Sequence, residues 1–205
     1  MSDGELIPIE LIRRMSVLGY STVGITDHVD ICSVEYVVES LTRLRDSSRE
    51  YGVTLLCGVE ITHVPPREIP DIASKAREGG ADLVVVHGET PVEPVCPGTN
   101  HAACLCEEVD ILAHPGLISE EEARLAARRG LLLELTARGG HNRTNGHVLR
   151  MAELTGAPVI VNSDAHAPGD LLDERAQTFV ALGAGMEEDN WKELRSLNIV
   201  KMLKL

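Results

Sequence analysis

The chain has 205 residues, 43% of them hydrophobic and 25% charged, the composition of one folded domain with a substantial core and not of a disordered chain. Aromatic residues are only 2%, so that core has to be built from Leu, Val, Ile and Ala. Acids outnumber bases 32 to 19 for a formal charge of −13, which argues against broad nucleic-acid binding, because that requires a positive surface to displace counterions.

The N-terminal Met1-Ser2-Asp3-Gly4-Glu5 lacks the basic segment and apolar stretch of a secretory signal. No apolar run approaches the ~18 residues needed to span a bilayer. Cys32, Cys57, Cys96, Cys104 and Cys106 are an odd, irregularly spaced set, unlike a disulfide framework, and are expected to behave as small buried apolar residues. A cytoplasmic location and no membrane partner are expected.

Along the chain, short apolar runs rich in β-branched residues occur at Thr22–Thr26, Val53–Val59, Asp82–Val86, Val109–Ala113, Leu131–Leu135 and Pro158–Val161. They predict strands buried on both faces. Amphipathic stretches lie between them. In one, Val34, Val37, Val38, Leu41 and Leu44 share a face; another opens with Ser119-Glu120-Glu121-Glu122, a capping box that puts acids at the positive helix end. Gly52, Gly79-Gly80, Gly130 and Gly156 stand where helices should close before the next strand. Helix and strand thus alternate with no long linker, which predicts a single α/β domain over 1–205 with a parallel sheet, as an open doubly wound sheet or a closed barrel.

The polar residues at the ends of these strands carry the chemistry. The first strand runs into Thr26-Asp27-His28, the second into Gly58-Val59-Glu60, the third into Val86-His87-Gly88-Glu89. The fourth runs into Ala113-His114-Pro115-Gly116, the fifth meets Glu134 and Thr136, and the sixth ends in Asn162-Ser163-Asp164-Ala165-His166. Parallel strands bring their C-terminal ends to one face, so His28, Glu60, His87, His114, Asp164 and His166 converge in space. Imidazoles and carboxylates are ligands of zinc, manganese and iron(II), and a set of this size can hold more than one ion.

These stretches, together with Ser2-Asp3-Gly4, resemble the PHP (polymerase and histidinol phosphatase) family of metal-dependent phosphoesterases over nearly the whole chain. The resemblance implies a distorted seven-stranded (β/α)7 TIM-like barrel with two or three divalent ions (Zn, Mn or Fe) at its C-terminal mouth. It makes His28, Glu60, His87, His114, Asp164 and His166 metal ligands, with Glu60 bridging two ions, and adds Asp3 as a further ligand. Family members carry a His-x-His pair on a first strand upstream of the Ser-Asp-Gly segment. This chain starts at Met1, immediately before that segment, so either the true start lies upstream, which is the expectation, or the protein has lost that strand and one metal site.

The implied activity is hydrolysis of a phosphate ester of a small phosphorylated metabolite. Metal ions neutralise the phosphate, lower the pKa of water from 15.7 to about 7 to supply a hydroxide nucleophile, and stabilise the leaving oxygen, while Asp164 and His166 manage the proton. No Gly-x-Ser-x-Gly elbow or P-loop occurs. In Thr136-Ala137-Arg138-Gly139-Gly140-His141-Asn142-Arg143, Arg138 and Arg143 are placed to grip phosphate oxygens and His141 to reach the same substrate. Asp27 and Glu89 are expected to orient neighbouring imidazoles, and His63 and His147 to be surface or packing residues. The rival readings are a phosphodiesterase and an RNA-binding barrel like a subunit of archaeal ribonuclease P; the acidic charge disfavours the latter.

Overall fold

The computed structural model describes residues 2–197, Val200 and Leu203. In chain order the elements are α1 (Pro8–Val17), β1 (Thr22–Val29), α2 (Val34–Thr42), α3 (Arg45–Glu50), β2 (Thr54–Ile61), α4 (Ile69–Glu78), β3 (Leu83–His87) and α5 (Thr99–Leu105). They continue with β4 (Ile111–Ala113), α6 (Glu120–Arg129), β5 (Leu132–Thr136), α7 (Asn145–Thr155), β6 (Val159–Asn162), α8 (Glu174–Gly183) and α9 (Glu188–Ser196). Each expected strand forms. β1 and β2 run on beyond their expected ends to Val29 and Ile61, because side-by-side pairing from Thr22↔Thr54 to Val29↔Ile61 keeps both backbones hydrogen-bonded. His28 and Glu60 therefore lie within strands and are direct register partners.

The helix ends follow local chemistry. Ser119 and Glu122 form the capping box at the start of α6, and Gly130 closes that helix at φ 73°. The apolar face foreseen for α2 is the one it buries, with Val34, Val37, Val38 and Leu41 facing inward. Asp173 caps α8 by accepting from the Ala176 backbone N–H.

The strands pair in parallel in the order β1-β2-β3-β4-β5-β6. Strand side chains alternate between faces, and the sheet divides its residues accordingly. One set, including Val59, Val84, Leu112, Leu133 and Leu135, packs against the surrounding helices. The other, Leu56, Leu83, Val85, Ile111, Ala113 and Leu132, makes a smaller cluster on the opposite face, joined by Leu203. Each fully buried Val or Leu contributes roughly 1.5–3 kcal/mol to this arrangement. The inward parity that ends in Leu56 on β2 continues through Gly58 to Glu60; on β3 it continues from Val85 to His87. The site thus sits directly above the inner apolar layer.

The sheet curls into a half-barrel. The rings of His28 on β1 and His166 just beyond β6 come within 5.9 Å, although among the described residues β1 and β6 do not pair with each other. Between these two edges lies a cavity of about 780 Å³, reached by Gly24, Leu56, Val85, Ile111 and Ile160. β6 is half-buried along its whole length. No helix among the described residues is long and apolar enough to cross a membrane.

Curling requires close approach at Gly58, where an added Cβ would sit 2.7 Å from Thr26 Cγ2 and 2.8 Å from the Leu83 carbonyl oxygen. Gly58→Ala is expected to destabilise the fold by about 1–3 kcal/mol through overpacking, read as a lower urea midpoint at unchanged slope.

Candidate metal centre

Parallel strands deliver the sequence-assigned ligands to one mouth, where they form two neighbouring groups. In the first, His87 ends β3, His114 follows β4 and His141 opens the turn after β5; all three are buried, with ligand atoms within 4.8 Å of one another. The His87 and His114 rings are 4.3 Å apart and those of His114 and His141 4.4 Å. In the second, Asp3 Oδ2 lies 3.0 Å from His166 Nε2 and 3.6 Å from His28 Nε2. Glu60, 7% exposed, has its Oε1 3.9 Å from His114 Nε2. Asp164 Oδ1 is 3.4 Å from His166 Nδ1.

Donor and acceptor accounting shows what these groups need. His87 Nδ1 faces the Gly88 carbonyl at 3.2 Å, and His166 Nδ1 faces the Asp164 carbonyl at 3.0 Å. A carbonyl only accepts, so the single N–H of each neutral ring is spent there. The Thr62 hydroxyl donates to the Glu60 carbonyl and so accepts from His28 Nδ1. The remaining Nε2 atoms point at carboxylate oxygens: those of His166 and His28 at Asp3, and that of His87 at Glu93 Oε2, 3.2 Å away. Acceptor facing acceptor is repulsive unless a cation lies between them. For the buried rings that cation is not readily a proton. Burial, only partly offset by Glu93, brings His87 down to about 4, and burial together with the His87, His141 and His28 rings brings His114 down to about 2.

The carboxyl groups are displaced in the opposite direction. Burial, reinforced by Asp164 and Glu134, holds Glu60 well above the usual carboxylate range, and burial with Asp164 alongside raises Glu134 to about 8. Asp164 is raised by burial as well. Glu60 Oε1, His114 Nδ1 and His141 Nδ1 are buried without a hydrogen-bond partner; His114 Nδ1 is 3.4 Å from Glu134 Oε2 but outside hydrogen-bond geometry. Buried acids facing unprotonated imidazoles are costly alone, and a divalent ion satisfies both. The residues fit such ions.

Backbone strain collects at the same place. Among the described residues, the non-glycine positions with positive φ are His63 (55°), His114 (31°) and Asp164 (50°), a conformation that costs about 1–3 kcal/mol each and persists where the surroundings impose it. Behind His114, Gly116 (φ 61°) lies where a Cβ would be 2.0 Å from the Glu89 carbonyl oxygen, so the loops after β3 and β4 cross in contact.

Three participants had no clear signal in the sequence. Glu93 sits in the loop after β3, with Oε2 3.0 Å from His63 Nε2 and Oε1 3.3 Å from His141 Nε2. His63, read as a surface or packing residue, is exposed but belongs to this cluster. Glu134, on β5, accepts from the His114 backbone N–H and from Asn162 Nδ2. Its place at a strand end was visible, its role was not. His141 joins the imidazole group more closely than a substrate contact alone would require.

Of the expected phosphate grips, Arg138 is half-buried, 3.4 Å from Asp170 Oδ2, and its charge acts on both His141 and Asp164. Arg143 is exposed and takes no part in the cluster's ion pairs. Asp27 accepts from the Ser2 backbone N–H and hydroxyl, and so steadies Asp3. Glu89, expected to orient an imidazole, instead accepts from the Gly98 and Asn100 backbone N–H groups at the start of α5. His147 is a packing residue, bonded to the Ile118 carbonyl. Cys57, Cys104 and Cys106 are buried as expected, whereas Cys32 and Cys96 are exposed, because they lie in the loops after β1 and β3.

No family model matches the chain. It is 46% identical over 187 residues to the uncharacterized protein MJ1295 of Methanocaldococcus jannaschii, a match covering 90% of this chain and 86% of that protein. The chain belongs to the same family as MJ1295.

A metal ion binding His114 would draw the neighbouring Glu134, raised to about 8, into its ionised form. Zinc added to weakly buffered, metal-free protein at pH 7 is therefore expected to release acid. Glu134→Gln should release measurably less.

Proposed function

We propose that the protein is a metal-dependent phosphoesterase of the PHP type that hydrolyses the ester of a small phosphorylated metabolite. The observation that carries this reading is the convergence of imidazole Nε2 atoms and carboxylate oxygens at one end of the curled sheet. Glu60, His87 and His114, with His141 beside them, would hold one ion; Asp3, His28 and His166 would hold another, with Asp164 next to His166. Zinc, manganese and iron(II) suit such ligands. Bound there, divalent ions neutralise a phosphate, lower the pKa of water and stabilise charge on the leaving oxygen.

The chain's own residues supply the remainder. Arg138, beside Asp164 and His141, grips phosphate oxygens with a forked guanidinium, and Asp170 holds that fork in place. The adjacent Gly139 and Gly140 leave room for backbone amides to approach the phosphate. Asp164, half-buried beside His166, stands where a carboxyl group would relay the proton that the departing alkoxide takes up. Among the described residues β1 and β6 do not pair, and the cavity bordered by both supports reading the curled sheet as part of a (β/α)7 barrel.

The test is metal content by elemental analysis together with hydrolysis of p-nitrophenyl phosphate. His87→Ala/His114→Ala is expected to lose both, and full activity in metal-free protein would overturn the proposal. Arg138→Ala is expected to keep its metal and raise KM about tenfold or more, the loss of a charged hydrogen bond of about 1.5–3 kcal/mol. Preference for bis(p-nitrophenyl) phosphate would replace a monoesterase with a diesterase.

A further inference from the structure

We propose that Glu93 is an additional ligand of the ion held by Glu60, His87 and His114 beside His141, brought in by the loop after β3 and held in position by His63. The inference rests on the metal-centre reading above and deepens it.

Two distances carry it. Glu93 Oε2 is 3.2 Å from His87 Nε2, and Glu93 Oε1 is 3.3 Å from His141 Nε2. With metal–nitrogen and metal–oxygen bonds of about 2.0–2.1 Å, neighbouring ligands of a tetrahedral ion stand about 3.3–3.4 Å apart. Glu93 is thus spaced from both imidazoles as ligands of one ion are spaced. It does not hold His87 through a conventional hydrogen bond, since the N–H of the neutral His87 ring is committed to the Gly88 carbonyl.

The position of Glu93 is complementary to that of the rings. The His87, His114 and His141 side chains are 3%, 2% and 8% exposed, while that of Glu93 is 37% exposed. The carboxylate closes the solvent side of a site whose other walls are barrel. It lies at hydrogen-bond range from rings contributed by three different segments: His63 after β2, His87 on β3 and His141 after β5.

His63 provides the independent observation. Its ring reaches Glu93 Oε2 at 3.0 Å from a backbone held at φ 55°, a region an L-residue adopts rarely. The other two non-glycine residues so held, His114 and Asp164, both belong to the proposed metal centre. A histidine packed for bulk alone would need no such backbone. His63 Nε2–H donates to Oε2, the oxygen that also faces His87, and so fixes the carboxylate with Oε1 turned to His141, as groups behind metal ligands commonly do.

The experiment uses the full chain loaded with zinc or cobalt(II). Zinc affinity is measured by chelator competition with elemental analysis, and coordination by the visible absorption of the cobalt form. Glu93→Gln is expected to change the cobalt spectrum and weaken one zinc ion at least tenfold, leaving the second ion in place. His63→Ala is expected to weaken the same ion about 10–100-fold while preserving the cobalt ligand set. Glu93→Asp, which keeps the charge on a shorter arm, serves by the same criteria if the Gln variant fails to fold. Wild-type spectrum and zinc affinity in the Glu93 variant would overturn the role of Glu93 alone. Failure of the wild-type chain to bind any divalent ion would overturn this inference and the phosphoesterase reading together.

Discussion

Imidazole rings gathered among carboxylates dominate the polar end of this molecule, with His87, His114 and His141 buried and His28 and His166 half-buried. His87 Nδ1 is turned to the Gly88 carbonyl, His166 Nδ1 to the Asp164 carbonyl and His28 Nδ1 to the Thr62 hydroxyl, so the opposite nitrogens face carboxylates. The apolar layer below offers His87 and His114 no polar partner, and their burial keeps water away. On the proposed reading this is a cage for cations, in which Glu60, Glu134 and Asp164, all raised by burial, would become charged as ions bind.

Strand parity makes the cage possible. Because side chains alternate, a single inward register carries Leu56 and Glu60 on β2, and Val85 and His87 on β3. The same period that forms the inner apolar cluster therefore aims the polar groups two residues later. A one-residue slip of either strand would turn those ligands toward the helices. The register between β1 and β2, with His28 opposite Glu60, is thus as much a property of the site as of the sheet.

Loops finish what the strands begin. His63, Glu93 and His141 come from segments between elements and Asp3 from the segment before α1; His63 is held by an unusual backbone, Glu93 by His63, Asp3 through Ser2, and the loop after β4 by the close approach of Gly116 to Glu89. Loops placed on a rigid sheet are where variation in chemistry is usually found. On the proposed reading, Glu93 and His63 are the features that distinguish this mouth from a barrel rim carrying strand-borne ligands alone.

The amino-acid sequence by itself determined the alternation of helix and strand, the capping box at Ser119, the glycine stops and the collection of His28, Glu60, His87, His114, Asp164 and His166 on one side. These follow from local periodicity and from the geometry common to all parallel βα units, so they are legible without coordinates. The roles of Glu93, His63 and Glu134 were decided only by the tertiary structure. Glu93 lies in a proline-flanked loop with no period to read, His63 looks like an ordinary loop histidine, and Glu134 acquires its shifted acidity from burial beside His114 and Asp164. Contacts between segments distant in the chain depend on how the sheet curls, and no short-range pattern encodes that curvature.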